Sequence, residues 1–201
     1  MRRRKPIRHR VLPLIVIAVA LMTGCRPAMI TQSQRIQPPP ETLAVPLRFA
    51  KHNFATHCYN TIGCQVIYNH RYQQEDGPDD VTPPPPKDLS KAWNSVEIGV
   101  VNFPPPAEVR WQSLDGVRHE TQVDMAAIFK DELIWHKVPK SDMADFYRGP
   151  VAGEPSIFLE VDDRTINVYS RTLIPTKTEQ IPGNEHSNGR DDLFLVWTHP
   201  Y

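Results

Sequence analysis

Apolar and polar residues alternate with a period of two through much of the chain after residue 46. Val96, Ile98 and Val100 alternate with Glu97 and Gly99, as in a strand with one face buried. Val109, Trp111 and Ser113 alternate with Arg110 and Gln112, residues 117–123 alternate again, and Asp115-Gly116 stands between the two runs. Asp-Gly there predicts a hairpin, because the tight turn needs φ > 0, where glycine carries no steric cost. Ile157, Leu159 and Val161 alternate with Phe158 and Glu160. Asp162-Asp163-Arg164 then turns the chain, and Ile166, Val168, Tyr169 and Leu173 lead out. Leu47, Phe49 and residues 64–68 also read as strand, and 193–197 closes the sequence as an apolar strand long enough to lie buried.

Two stretches break this rhythm. Met125, Ile128, Phe129 and Leu133 recur at steps of three and four, which predicts an amphipathic helix over 125–135 with Asp124 as its N-cap. A second short helix is expected over 141–147, capped by Ser141 and stopped by Gly149-Pro150. Two polar loops separate the elements. The first, 73–91, carries Glu75-Asp76-Gly77-Pro78-Asp79-Asp80 and four consecutive prolines at 83–86, which forbid helix and central strand alike. The second, 176–190, contains Asn188-Gly189. The expected fold is mainly β (a β-rich α+β domain): an antiparallel sheet or sandwich of about seven or eight strands with one or two short helices laid against it.

The N-terminus follows a different rule. Arg2, Arg3, Arg4, Lys5, Arg8 and Arg10 precede an apolar run at 11–22 broken only by Pro13. About 12 residues is short of the roughly 20 needed to span a bilayer, and a basic head before such a run fits a secretory signal. The run ends in Leu21-Met22-Thr23-Gly24-Cys25, which resembles the bacterial lipobox; Thr23 and Gly24 match its small residues, while Met22 stands where leucine is commonest. The resemblance implies cleavage before Cys25 and lipidation of Cys25. Residues 1–24 are then a signal peptide, 25–45 a lipidated cysteine with a Pro-rich tether through Pro38-Pro39-Pro40, and 46–201 one soluble domain. Two or more acyl chains hold a protein stably at a membrane. Arg26, not Asp, follows the cysteine, and the sorting rule of such lipoproteins then implies the outer membrane, with the domain facing the periplasm.

Processing changes the charge. The whole chain has 23 Lys+Arg and 23 Asp+Glu; loss of six basic residues leaves 17 against 23, a net −6. An acidic domain is not expected to grip nucleic acid. Cys58 and Cys64 remain once Cys25 is assigned to lipid, and an exported protein favours a disulfide between them. The rival is a metal site of His57, Cys58, Cys64 and His70, whose spacing departs from the two-to-four-residue ligand pairs of zinc sites. The aspartates of the first loop lack the alternation of an EF-hand. No metal and no cofactor are expected.

There is no G-x-S-x-G, H-E-x-x-H, Walker or G-x-G-x-x-G motif. His119 and Glu120 are neighbours on a predicted strand and point to opposite faces. The chain therefore reads as a binding protein and not an enzyme. Recognition tends to lie in loops carried on a rigid scaffold. Asp76, Asp79 and Asp80 in the first loop, and Glu185 and Arg190 in the second, are its candidate contacts. Trp93, Trp135 and Tyr147 are candidate aromatic anchors, with core packing as the competing role for each.

Phe103-Pro104-Pro105-Pro106, the hairpin Val109-Arg110-Trp111-Gln112-Ser113-Leu114-Asp115-Gly116 and the closing Leu195-Val196-Trp197 resemble small lipoproteins that serve as immunity proteins to type VI secretion lipase effectors. That resemblance implies a protein that blocks an incoming phospholipase by covering or plugging its active site, with the acidic loops as the blocking surface. The alternative expectation is a structural or assembly lipoprotein of the envelope or of a secretion apparatus.

Overall fold

The computed structural model describes residues 33–36, 47–144 and 153–201. The chain forms β1 (Gln34–Arg35), β2 (Leu47–Arg48), β3 (Lys51–Tyr59), β4 (Thr61–Tyr68) and β5 (Arg71–Glu75). After α1 (Leu89–Ala92) come β6 (Glu97–Val101), β7 (Ala107–Ser113), β8 (Arg118–Val123), α2 (Met125–Ile128) and β9 (Leu133–Ile134). The last strands are β10 (Ser156–Asp162), β11 (Thr165–Arg171), β12 (Ile174–Pro175), β13 (Gly189–Arg190) and β14 (Leu193–Pro200).

Six strands pair in the order β1-β14-β11-β10-β3-β6 and four in the order β5-β4-β7-β8. All these neighbours are antiparallel except β3 and β10, which run parallel with His57 beside Glu160. The fold is thus mainly β, as the alternation predicts, with one parallel pair inside the larger sheet. The inner faces of the two sheets share one core. Phe54, Ile157, Leu159, Ile166 and Val168 come from the larger sheet, and Val66, Tyr68, Val109 and Trp111 from the smaller. The rings of Phe54 and Tyr68 meet across the layers at 4.2 Å. The chain steps between sheets at Asn60, whose positive φ of 51° makes the corner. Cys58 and Cys64 close that corner as a disulfide, with Cα atoms 6.4 Å apart.

The Asp115-Gly116 hairpin forms as expected. Gly116 has φ +86° and donates its N–H to the Ser113 carbonyl. Asp163, at φ +47°, makes the turn between β10 and β11.

Other elements differ from expectation. The helix over 125–135 is only α2. Asp124 caps it through the N–H of Ala127, but the chain turns left-handed at Glu132 (φ 51°) so that Leu133 and Ile134 can pair with β2. Strand pairing here overrides local helical periodicity. At the expected second helix, Ser141 and Asp142 form a turn and Met143 bridges Thr176; residues 145–150 lie outside the described residues. The 73–91 loop is shorter than expected, since β5 extends to Glu75 and α1 begins at Leu89. The alternation at Val96, Ile98 and Val100 does not put them on one buried face. Val96 is 75 % and Ile98 77 % exposed, while Val100 is buried. Gly99, at φ +71°, inserts an irregularity between Ile98 and Val100 and shifts the phase of the strand.

A smaller apolar cluster lies on the outer face of the larger sheet, built on Ala55, Trp93 and Phe158. Among the described residues no helix is long and apolar enough to cross a membrane.

Candidate functional site

The outer face of the four-stranded sheet is polar by register. Gln65 stands between Glu75 and Arg110, Arg110 faces Glu120, and Gln112 lies between Ile62 and Arg118. These rows floor a trough of about 560 Å³ whose wall is formed by Gly63, Asp76 and Pro78. That volume suits a ligand or an inserted side-chain cluster.

The wall is rigid because the acidic loop is bonded to β4 along its length. Asp76 N–H donates to the Cys64 carbonyl, Gly63 N–H to that of Asp80, Thr82 N–H to that of Thr61, and Asn60 N–H to that of Pro83. Inside the loop, the Gly77 N–H donates to Asp80 Oδ2. Gly63 adopts φ +57°, and a Cβ there would lie 2.9 Å from the Pro78 carbonyl oxygen. Loop and strand are therefore in contact through backbone.

The neighbouring turns are stapled together at the same end of the sandwich. Asp163 Oδ1 accepts from Leu114 N–H at 2.8 Å, and its carbonyl accepts from Trp111 Nε1 at 2.6 Å. The Arg164 guanidinium pairs with Asp115 at 3.0 Å and also donates to the Tyr201 carbonyl. Asn60 donates to Asp162 Oδ1 at 2.7 Å. Three turns distant in sequence thus hold a fixed arrangement, with Leu114 and Val117 exposed at the hairpin tip.

The charges in the trough divide into used and unused. Arg110 is paired with Glu120 at 2.9 Å and with Glu108 at 3.4 Å; the Glu120 carboxylate holds its guanidinium pKa above the ordinary value. Arg118 is exposed and has no hydrogen bond or ion pair among the described residues, and the side-chain amides of Gln65 and Gln112 also make none. These three groups offer donors to an incoming ligand. Asp115 is held below the usual carboxylate range, first by the Ser113 hydroxyl and then by the Val117 N–H.

Ser113 Oγ lies 3.0 Å from His119 Nε2. Ser113 is fully buried and its hydroxyl also reaches Asp115, so no substrate can approach it in this arrangement. His119 stacks on the Trp111 indole at 4.7 Å, and burial lowers its pKa.

The two groups of candidate loop contacts fall at opposite ends of the strands. Asp76 lines the trough, and Asp79 and Asp80 follow it in the same loop without lining it. Glu185 belongs to the loop between β12 and β13 and Arg190 to β13 itself, beyond the opposite ends of β11 and β14. Glu185 is exposed, whereas Arg190 pairs with Asp192 at 2.9 Å.

Two aromatic anchors require correction. Trp93 is 1 % and Trp135 4 % exposed. Trp93 packs on Phe158 and donates Nε1–H to Tyr59; Trp135 packs edge-on to Phe194 in the main core. Neither can anchor a partner without unpacking. Tyr147 and Cys25 lie outside the described residues.

The metal set His57, Cys58, Cys64 and His70 is not assembled. His57 points to the outer face and stacks on Trp93 at 4.9 Å, and His70 sits in the turn after β4. The group beside the two sulfurs is Asp76.

Sequence reasoning missed a buried polar row on the outer face of the larger sheet. Glu160 is 3 % exposed; it accepts from Asn167 at 2.8 Å and Tyr169 at 3.2 Å, while Asn167 accepts from Thr198 at 2.6 Å. Burial raises the Glu160 pKa and lowers that of adjacent His57 to about 4. The alternation of polar residues along β10, β11 and β14 was the available signal, but the pairing that aligns them is long-range. Comparisons with protein-family models, curated proteins and solved structures find no match to this chain.

Proposed function

We propose that this chain is a lipid-anchored lipoprotein of the outer membrane that binds and neutralises a toxic phospholipase in the periplasm, an immunity protein. Cys25 is the anchor, and the Pro-rich segment up to residue 45 is the tether. The observation that carries the reading is the stapled end of the sandwich. A prebuilt trough with unused donors on Arg118, Gln65 and Gln112 stands beside a loop whose backbone cannot shift without breaking its bonds to β4. A surface already rigid before contact loses little conformational entropy on binding. The Cys58–Cys64 disulfide fits an exported protein, and the order of basic head, apolar run and lipobox supports the anchor.

The test uses the full chain in detergent and the phospholipase encoded beside it, with lipid hydrolysis followed on mixed micelles. Inhibition that saturates near one-to-one supports the immunity role. Full activity at large excess, with no complex on a sizing column, sinks it for that pair.

A second reading, a structural or assembly lipoprotein, is favoured by one observation. Ile98 and Val101 on β6, and Val96 just before it, are exposed at the outermost strand of that edge of the larger sheet, and exposed apolar strips mark contact sites. Deleting the gene would then impair an envelope machine even in a cell that has no effector.

A further inference from the structure

Asp76, in the trough wall, stands beside the two sulfurs of the disulfide. We propose that Cys58, Cys64 and Asp76 form a redox-gated site for a thiophilic divalent cation such as zinc, closed while the disulfide is intact and open once it is reduced.

The two sulfurs and an Asp76 carboxylate oxygen lie within 4.8 Å of one another. Asp76 Oδ1 accepts from the Gln74 side chain, but Oδ2 is buried and accepts nothing. A buried carboxylate oxygen without a partner is costly, and a cation beside it removes that cost. The carboxylate is also well placed. The Asp76 N–H is bonded to the carbonyl of Cys64, so ligand and cysteine share one strand contact.

The backbone geometry suits a dithiolate. Two metal–sulfur bonds of about 2.3 Å at a tetrahedral angle put the sulfurs about 3.8 Å apart. Cysteine Cα atoms 6.4 Å apart can present such a pair by side-chain rotation. Cysteine and carboxylate are both established zinc donors, and three protein ligands leave a fourth position for water.

The chemistry balances with a dithiol as reductant. The dithiol gives two electrons and two protons to the Cys58–Cys64 bond and itself closes to a cyclic disulfide. The protein then carries two thiols. The incoming cation displaces both thiol protons to solvent, since the thiolate is the ligand form. A disulfide oxidant reverses this: it takes two electrons from the metal-bound thiolates and two protons from solvent, leaves as two thiols, and releases the cation as the Cys58–Cys64 bond re-forms.

Cobalt(II) is the probe, because thiolate ligation gives a charge-transfer band in the near ultraviolet. The full chain would be reduced with dithiothreitol, desalted without air and titrated, with the oxidised chain in parallel. The reduced chain is expected to bind one equivalent with the band, and the oxidised chain none. Cys58→Ser should abolish the band. Asp76→Asn should weaken binding at least tenfold, while Asp79→Asn on the same loop leaves it unchanged. Three results overturn the proposal. They are a reduced, β-folded chain without the band, an Asp76→Asn chain that binds as tightly as the parent, and a reduced chain that loses its β signal and does not regain it on adding cobalt.

Discussion

A Cβ placed on Gly63 would stand 2.9 Å from the carbonyl oxygen of Pro78. Strand β4 and the acidic loop touch there through backbone, and any side chain at 63 must push them apart. Gly99 also has positive φ, yet nothing lies within 4 Å of its Cβ position. Both positions charge an alanine for left-handed backbone, about 1 kcal/mol, but only Gly63 adds a clash. Gly63→Ala is expected to cost about 3 kcal/mol and Gly99→Ala about 1 kcal/mol. Urea midpoints of the two variants check this, and equal losses would mean that the loop yields freely.

The disulfide closes a short loop, with a sequence separation of 6. Chain-entropy reasoning gives such a loop about 2 kcal/mol of stabilisation. The double variant Cys58→Ala/Cys64→Ala should lose about that amount by urea unfolding while keeping its β circular dichroism. A much larger loss would mean that the buried sulfurs matter chiefly through packing.

His57 carries a pH dependence whose sign is set by burial. Its folded pKa, about 4, lies below the ordinary value of 6.5. The unfolded chain therefore binds more protons between those values, and stability falls as pH drops from about 6.5 to about 4. The full shift would correspond to about 3 kcal/mol, and allowing for the partly solvated ring leaves about 2 kcal/mol. Glu160 works in the opposite sense: its raised pKa removes stability as pH rises through the folded value. The diagnostic measurement is the stability difference between His57→Phe and the parent at pH 7 and at pH 4. The variant should lose about 2 kcal/mol less on acidification, and parallel pH profiles would assign the acid sensitivity to other groups.

Legibility in the sequence followed the range of the interaction. The Asp115-Gly116 hairpin and the Asp124 cap rest on chemistry within a few residues, and both are as read. Strand β3 went unread because its inward positions include His52 and Thr56 while Ala55, apolar, faces outward, so the period of two is hidden. The parallel pairing of β3 with β10 joins residues about a hundred positions apart, which no local pattern encodes. Val96 and Ile98 have the alternation of core residues and lie exposed, because a single left-handed glycine shifts the phase. Trp93 and Trp135 had two roles open, and only the assembled layers placed them inside. For the candidate site, the acidic loop was legible as a run of aspartates, of which Asp76 lines the trough. The floor it stands beside comes from β4, β7 and β8 and had no signature of its own.

Placing recognition at the stapled end makes a comparison between the two ends of the molecule decisive. Arg118 projects from the trough floor with no partner among the described residues, and Asp79 is exposed on the loop that supplies the wall. Glu185 is equally exposed at the far end. Reversing an exposed charge costs the fold little, within about 0.5 kcal/mol away from special contacts, so changes in binding can be read without a correction for unfolding. Arg118→Glu and Asp79→Lys should each weaken phospholipase capture at least tenfold, because rim and floor charges at an interface contribute to both encounter and retention. Glu185→Lys should change it less than twofold. Inhibition titrations of the three variants supply the comparison. If the far-end variant alone loses inhibition, the loop between β12 and β13 is the recognition surface. The stapled end would then serve stability alone.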